Sequence, residues 1–423
     1  MNDQERRGAR AEWLILAAAG AVSLLPYLAN HHYFARMYWF GDEFDLIDQI
    51  DRIGFWKWVG LAFAENFVPL FKVLWGGAVI CFHGSYAAML ALVWLTHAAN
   101  VVLLGRLLRA CGLGWAPVLL ALAAFGLAPS NLETLAWSVQ WSAMLAVTFM
   151  LAGLDLVLRG RGGTPGAVSN SAASALAFSR GVLTGPLIAL AAVCSSGERI
   201  ARRAAAAAWI MAPSVAVAIL ITVLVPSGNQ DHMAGHWLDA AVYGTWYFAL
   251  NPAHQLFGVE SWGPRTAAAL LLAKLLLMAW CLARSRGRVR LLFVLLLLFD
   301  LGNAALLGVG RFHTGLPTVI SSRYQYASLI AVAPFAAFWA DAVLGRLLRK
   351  DLLRSAFAAV LVALSAWSML AQWPARIREF SDWRGVRSRE IFMDGTSKSN
   401  DVPGFPGFPM ARAKEIVRKY SLH

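Results

Sequence analysis

Five acidic residues lie within ten positions of this sequence, shortly after its first long apolar run, residues 12–29. They are Asp42, Glu43, Asp45, Asp48 and Asp51. Carboxylates in such a position can bind a metal ion, hold an organic cation or take the proton of a hydroxyl group. Ionisable groups close to a membrane are costly and usually mark a function, so this cluster is the first candidate for a functional site.

The composition indicates a membrane protein that crosses the bilayer many times. Of the 423 residues, 59% are hydrophobic and 14% are charged, whereas globular domains are nearer half apolar and a quarter charged. The net charge of +13 comes largely from arginines at the ends of apolar runs, which is the positive-inside pattern. We therefore expect a lipid bilayer as the partner of this surface and no nucleic acid. The 4 cysteines have no paired spacing, so neither a disulfide framework nor a zinc site is indicated.

The alternation of apolar runs and arginine clusters predicts an all-α fold, a polytopic transmembrane helical bundle of about eleven spans. An amphipathic, juxtamembrane helix is expected on the outer face within residues 44–62, after the first span. The apolar segment 67–83 is short and carries Lys72, so we interpret it as interfacial or re-entrant. The predicted spans are residues 12–29, 85–105, 115–128, 135–158, two short spans within 166–196, then 204–226, 265–283, 291–309, 324–345 and 355–371.

Two domains are predicted: a transmembrane domain, residues 1–371, and a short extramembrane tail, residues 372–423. The tail contains the sequence ARAKEIVRKYSL, whose pattern is typical of an amphipathic helix lying on a surface. Eleven spans put the tail outside, yet the arginines of residues 376–389 would favour the inside. The segment 166–196, which is predicted as two short spans, decides between these alternatives. The number of times it crosses the membrane sets the side on which every later loop and the tail lie.

With this topology, most of the unusual polar residues gather on the outer face. Convergence of acids, histidines and arginines on one face is hard to obtain from solvated loops alone, and such groups usually mark a function. Beyond the acid cluster, the set includes Glu65, Glu133, Arg180, His254, Arg311, His313, Arg323 and Tyr324.

The order of several short motifs resembles that of a known superfamily. The motifs are GDEFD after the first span, the amphipathic stretch IDQIDRIGFWKWVGLAF, then ENFVPLFK, SNLETLAWSVQWSAML, FSRGVLTGPL and GRFHTGLPTVISSRYQYASL. Together they cover roughly residues 10–345 and resemble the polytopic GT-C glycosyltransferases, which include bacterial relatives of protein mannosyltransferases and of lipid A aminoarabinose transferases. The resemblance implies a catalytic acid in the first outer loop and a polyprenyl-phosphate sugar as donor.

The resemblance assigns roles to individual residues. Asp42 matches the position of the catalytic base, with Glu43 adjacent and Glu65 as a further catalytic candidate. A carboxylate can accept the proton of the attacking hydroxyl, and fixed cations stabilise the departing phosphate. Arg311, Arg323 and Tyr324 are expected at that phosphate, because the guanidinium fork suits it. Substrate contacts are expected from Glu133, Arg180, His254 and His313.

A divalent metal ion could take part, but the sequence does not identify its ligands. The acids of the first outer loop could hold one together with histidines. His232 and His236 have the i, i+4 spacing of a helical metal pair, although their segment contains glycine and is typical of a loop.

Three functions remain open from the sequence. We expect an inverting glycosyltransferase on the periplasmic face of a bacterial inner membrane, with a glycan, a lipid or a protein as acceptor. A transferase similar to the O-antigen ligases would rely mainly on an outer loop with arginine and histidine. A flippase or transporter of lipid-linked sugars would place ionisable residues near the middle of the bilayer.

Overall fold

The computed structural model describes residues 3–63, 66–160, 163–195, 199–224, 235–257, 263–348, 350–382, 401–402 and 405–423. Within these residues the regular structure is helical apart from one antiparallel strand pair, β1 (Asp401–Val402) with β2 (Phe405–Pro409), and an isolated antiparallel bridge between Phe63 and Asn66. The predicted all-α fold is therefore confirmed.

Eight helices of the described chain are long and apolar enough to cross a membrane. A ninth crossing is obtained if Trp115–Gly126 and Pro129–Leu135, which meet at a bend of 44°, form one span. The segment predicted as two short spans contains two shorter helices, so the total of eleven stays a prediction. The eight helices are Arg10–Ala29, Tyr86–Ala110, Ser138–Leu158, Ile200–Val223, Pro264–Arg284, Gly287–Thr314, Ser322–Leu347 and Asp351–Phe380.

We number the described α-helices in chain order. The first half of the chain forms α1 (Asp3–Val22), α2 (Leu25–Ala29), α3 (His31–Phe34), α4 (Asp42–Ile53), α5 (Phe55–Val59), α6 (Pro69–Cys81), α7 (Tyr86–Ala110), α8 (Trp115–Gly126), α9 (Leu132–Leu135) and α10 (Trp141–Leu158). The second half forms α11 (Thr164–Ala177), α12 (Thr184–Ser195), α13 (Ile200–Leu224), α14 (Trp237–Leu250), α15 (Ala253–Phe257), α16 (Pro264–Arg284), α17 (Gly287–Arg311), α18 (Gln325–Leu347), α19 (Asp351–Phe380) and α20 (Met410–Lys419). Short 3-10 turns join several of them.

The segment in which an amphipathic helix is expected after the first span contains the helix α4, while its place on an outer membrane face stays a prediction. It begins directly after Gly41, whose φ of 58° and ψ of −126° are readily available only to glycine. Phe44 and Ile47 are fully buried, while Asp42 and Asp45 are only half-buried and Ile53, the last residue of the helix, is exposed. Burial of one apolar face explains why this segment is helical despite its many acids.

Lys72 has a structural explanation inside the short apolar helix α6. Its ammonium group is buried and donates hydrogen bonds to the carbonyl oxygens of Trp58, at 2.8 Å, and Leu61, at 2.9 Å. These carbonyls lie at and just beyond the end of α5, where helical oxygens lack partners. At 13 residues, α6 is shorter than the roughly 20 residues needed to cross a bilayer.

One end of the bundle holds a cluster of ion pairs between residues of three helices. Asp155 near the end of α10 binds Arg106 of α7 at 2.7 Å and Arg159 at 2.6 Å. Glu12, in the first half of α1, lies 3.6 Å from Arg159. We call this end of the bundle the basic face. Since α4 follows the other end of the first span, α4 lies on the opposite side, which we call the cavity face.

The predicted domain boundary at residues 371–372 lies inside α19. This helix runs on to Phe380, and Trp373 is fully buried and donates to the carbonyl oxygen of Leu127 at 2.8 Å. The last turn of α19 therefore belongs to the packed bundle.

The tail helix α20 packs against protein, contrary to the interpretation of its pattern as a helix lying on a surface. Its residues Ala413 and Ile416 are fully buried, and Arg412 bonds to Asp48 and Asp51 of α4. The sequence pattern identifies the apolar side of such a helix but not the surface that covers it.

Candidate functional site

Five of the residues singled out in the sequence line a single cavity of about 430 Å³ on the cavity face. They come from α4, from the turn between α11 and α12, from the end of α17 and from the turn before α18. The five are Asp42, Arg180, Arg311, Arg323 and Tyr324. The fold thus brings together side chains that are far apart in the chain, with one carboxylate among three guanidinium groups.

Asp42 is the first residue of α4 and faces the cavity. The amino end of a helix carries partial positive charge, which favours an ionised carboxylate there. About half of the other residues that line the cavity are apolar or aromatic. A carboxylate held at the wall of such a cavity can act as a proton acceptor.

Glu43 is turned away from the cavity and is fully buried. Its carboxylate accepts hydrogen bonds from the backbone N–H of Phe40 at 2.7 Å and from the backbone N–H and hydroxyl of Ser138 at 3.1 and 2.5 Å. Burial raises the pKa of Glu43 to about 8, although these hydrogen bonds oppose the rise. Glu43 therefore fastens α4 to the Ser138 turn, whose neighbours line the cavity, and positions Asp42 instead of facing a substrate.

The raised pKa of Glu43 predicts a pH dependence of stability. The folded protein holds the Glu43 proton more tightly than the unfolded chain, so its stabilising effect is complete below the ordinary pKa of 4.5 and is lost as the pH rises towards about 8. We expect the thermal midpoint of the wild type to fall across this window, and Glu43→Gln, which has no proton to lose, to remove that part of the slope. Thermal unfolding of both proteins in detergent, followed by tryptophan fluorescence, measures it; equal slopes would contradict the assignment.

Glu133 also lies outside the cavity, but it holds the turn that carries Arg323. One of its carboxylate oxygens accepts from the Ser322 hydroxyl at 2.8 Å and from the Arg323 backbone N–H at 3.2 Å. From the other side, the Tyr247 hydroxyl donates to the Tyr324 carbonyl oxygen at 3.0 Å. Glu133, expected as a substrate contact, thus holds the turn that carries Arg323 and does not line the cavity.

Two of the three cavity arginines have no carboxylate partner within salt-bridge distance among the described residues. Arg180 is 7% exposed and stacks over the Phe178 ring at 5.6 Å. Arg323 lies over the Tyr324 ring at 5.2 Å, and its buried Nε has no hydrogen-bond partner in the described part of the chain. The carboxylates of Glu133 and Asp42 lie near enough to act on the charge of Arg323, whereas the described groups that act on Arg180 include no carboxylate. A buried guanidinium without a counter-charge is costly to the empty protein, so a bound anion would offset that cost above all at Arg180.

The cavity reaches the apolar surface of the bundle between α13 and α17. Thr222 of α13 and Leu306 and Val309 of α17 line it and are also exposed on the outside. In a membrane this opening would face lipid. The sequence predicts an opening near residues 291–309 and 324–345. The first of these, α17, lines the opening, but from the second only Tyr324 lines the cavity, and α13 forms the other side instead.

The remaining candidates lie outside this cavity. His313 is exposed, and His254 lies in α15 with both ring nitrogens buried and unpartnered within the described residues. Burial lowers the pKa of His254, and the charge of Arg376 lowers it further. Glu65 and His232 fall outside the described residues, although Asn66 beside Glu65 lines the cavity. In the described part of the chain, no three His, Cys, Asp or Glu side chains group as a metal ion would need.

Trp137, an aromatic residue near the outer surface that the sequence offers for stacking on a sugar, lines the cavity, whereas most of the other aromatic and amide lining was not predicted. Phe63, Phe71 and Phe178 form an aromatic wall, and Asn303 of α17 adds an amide. Asn303 is fully buried and donates to the Tyr247 hydroxyl at 2.6 Å. A polar residue inside an otherwise apolar span was the signal that could have identified it.

The chain was compared with protein-family models, with curated proteins and with solved structures, and none of the three comparisons gives a match.

Proposed function

We propose that this protein is an inverting membrane glycosyltransferase that moves a sugar from a polyprenyl-phosphate donor to a glycan, lipid or protein acceptor. The observation that carries the proposal is the single cavity in which Asp42 stands among Arg180, Arg311 and Arg323 and which opens between α13 and α17. A hydroxyl-activating carboxylate, an anion-binding group and a lipid-facing exit are the three features that such a reaction needs.

The reaction can be written with this chain's own residues. The acceptor hydroxyl gives its proton to Asp42 as its oxygen bonds to the anomeric carbon, and the bond from that carbon to the phosphate oxygen breaks. The electron pair stays on the phosphate, whose charge changes from about −1 to about −2 as it leaves. The described charged groups of the lining sum to +2 from three arginines and Asp42. This positive lining therefore stabilises the departing phosphate more than the phosphate of the bound donor. Stronger stabilisation of the transition state than of the ground state is the condition for catalysis.

The apolar opening supports a lipid-linked donor. A prenyl chain could leave the cavity past Leu306 and Val309 and remain in the acyl region while its phosphate lies at Arg180 and Arg323. The aromatic wall offers flat apolar faces of the kind on which sugar rings pack.

The other two functions have less support. A transferase of the O-antigen ligase kind would need histidine at the reacting groups, and neither His254 nor His313 lines this cavity. A transporter would use ionisable groups within the spans, and Lys274 does bind Asp300 there at 2.6 Å. However, Lys274 also donates to the carbonyl oxygens of Phe248 and Asn251, at 2.8 and 2.9 Å, so it has a structural role at the end of α14.

The decisive experiment incubates the purified protein with a panel of polyprenyl-phosphate sugars and candidate acceptors. Detection of released polyprenyl phosphate, dependent on an acceptor, would support the transferase and identify the donor. Movement of an unchanged lipid-linked sugar across vesicles, without its cleavage, would favour the transporter instead.

We further propose that the cavity face is the periplasmic face of a bacterial inner membrane and that the number of spans is odd, as in the predicted eleven. Arg106 and Arg159 on the basic face follow the positive-inside rule. The tail helix lies against α4, on the cavity face. If α1 starts on the basic face, a chain that ends on the cavity face must cross the membrane an odd number of times.

Reporter fusions test this topology. We expect a reporter after residue 109 to be cytoplasmic, and one inserted within residues 410–420 to be periplasmic, because the positive-inside rule orients the first pair of spans. A fusion at residues 284–290 serves as a second cytoplasmic control. Reporters at 106–109 and 284–290 that both proved periplasmic would invert the proposed orientation.

A further inference from the structure

The helix that begins with Asp42 is held near its other end by the tail segment, which we define as residues 405–423. The guanidinium fork of Arg412 donates from Nε to Asp48 at 2.6 Å and from its terminal nitrogen to Asp51 at 2.7 Å. The ammonium group of Lys419 also binds Asp51, and the Tyr420 hydroxyl donates to it at 3.2 Å. Three donors from one short helix and its end thus converge on two neighbouring carboxylates of α4.

The pKa of Asp51 reflects the hydrogen bonds that this contact supplies. Burial alone would raise the pKa of Asp51, but the hydrogen bonds from Lys419, Arg412 and Tyr420 bring it below its ordinary value. Both carboxylate side chains are only 8% exposed, so the ion pairs are better shielded than ordinary surface pairs.

Apolar packing and backbone bonds complete the contact. The Phe408 ring lies 6.4 Å from the ring of Phe44, and Ala413 and Ile416 are fully buried. The backbone N–H of Tyr86 donates to the His423 carbonyl oxygen at 2.8 Å, and that of His423 donates to the Gly84 carbonyl oxygen at 3.1 Å. These contacts make the tail segment a packed part of the protein.

The tail segment approaches the backbone of Gly84 closely. Its φ is 72°, and a Cβ at this position would lie 2.6 Å from the Tyr420 carbonyl oxygen. A side chain would therefore force the tail segment away from the bundle.

The helix α4 is consequently held at two points. Glu43 fastens its first turn to Ser138, and the tail segment fastens Asp48 and Asp51. Asp48 is six residues beyond Asp42, about 9 Å along the helix axis. A tilt at that end would move the Asp42 carboxylate by an ångström or so, and misplacement of about 1 Å is enough to slow a reaction strongly.

We infer that the tail segment is a positioning element of the proposed active site, which holds α4 so that Asp42 meets the acceptor hydroxyl. The inference rests on the proposed transferase function. None of the contacts made by the described part of the tail segment involves Arg180 or Arg323, so release of the tail segment should lower kcat and leave the affinity for the donor unchanged.

The test is the charge reversal Arg412→Asp in the full-length protein, with Arg418→Asp as the matched control. Arg418 lies on the same helix and is exposed, so the control changes the net charge equally. We expect Arg412→Asp to raise amide exchange of residues 42–53 at least about 10-fold and to lower kcat about 10-fold, with KM for the donor within about 2-fold of wild type. The second change Asp48→Arg should restore both values in large part, because it places a guanidinium opposite the introduced carboxylate.

Each outcome of this test is decisive. Unchanged exchange of residues 42–53 in Arg412→Asp overturns the inference whether or not the protein is a transferase. Faster exchange with unchanged kcat, or a parallel loss of donor affinity, also overturns it. A wild type that releases no polyprenyl phosphate from any donor refutes the proposed function, while the exchange measurement still reports on the tail contact.

Discussion

Asp42→Asn is expected to lower sugar transfer by about 100-fold or more while the protein keeps its fold. The substitution preserves the shape of the side chain and its place at the start of α4, but an amide cannot take a proton. Asp42 is the only carboxylate that the described lining of the cavity contains, so no described neighbour can replace it at short range. The loss should therefore appear in kcat, with the affinity for the donor changed little.

Asp45→Asn is the matched control for this variant. Asp45 lies one turn further along α4, is half-buried and does not line the cavity; it accepts a hydrogen bond from Gln49 at 2.7 Å. Both variants remove one negative charge from the same helix. Release of polyprenyl phosphate by the two purified variants, with thermal unfolding as the check on folding, makes the comparison.

Near-normal turnover of a folded Asp42→Asn variant would reject Asp42 as the base. The role would then pass to Glu65, since Glu43 is buried and already accepts three hydrogen bonds from protein groups. Glu65→Gln would be the next variant to measure.

The positions of Arg311 and Arg323 could be predicted from the sequence because each stands next to the end of an apolar run, and that of Asp42 because it lies in the loop that follows the first run. Hydropathy locates these ends within a few residues, and alternating spans bring them to one face. The same reasoning located α4, because its buried face repeats with helical spacing. These are local patterns, which a single sequence contains in full.

The orientation of Glu43 could not be predicted in this way. Asp42 and Glu43 are neighbours, and a helix turns about 100° between them, so only one can face the cavity. The choice is made by Ser138, which lies 95 residues away and binds Glu43. Glu133 is a similar case, since the turn that it organises lies 189 residues further along the chain.

The partner of the tail helix α20 could not be predicted from the sequence either. Its basic and apolar faces were visible in the sequence, but a lipid headgroup layer and the acids of α4 are equally good partners for such a helix. The structure distinguishes them because Asp48 and Asp51 stand at the spacing that Arg412 can bridge. The pattern of apolar and charged residues within α20 or within α4 does not show that the two helices pair with each other.

Removing Arg323 or Arg180 should weaken binding of polyprenyl phosphate by roughly 10- to 150-fold, the equivalent of about 1.5–3 kcal/mol for a hydrogen bond to a charged group. Each arginine faces the cavity and lacks a carboxylate partner among the described residues. Arg323→Lys should recover only part of the affinity, because an ammonium group cannot reproduce the two parallel bonds of a guanidinium. Titration of the purified variants with polyprenyl phosphate measures the effect.

The thermal midpoint of the Arg180→Ala variant distinguishes a binding role of Arg180 from a structural one. If the guanidinium supported the fold, Arg180→Ala would lower the thermal midpoint together with the affinity. Because it is buried beside Phe178 without a counter-charge among the described residues, we expect Arg180→Ala to leave the midpoint of the empty protein unchanged or higher, and to reduce the rise in midpoint on adding polyprenyl phosphate. Arg376→Ala removes an equal charge from an exposed site on the same face and should change neither value. Equal losses of affinity in Arg376→Ala and Arg180→Ala would mean that the lipid responds only to the net charge of the face, and the phosphate site would have to be sought elsewhere.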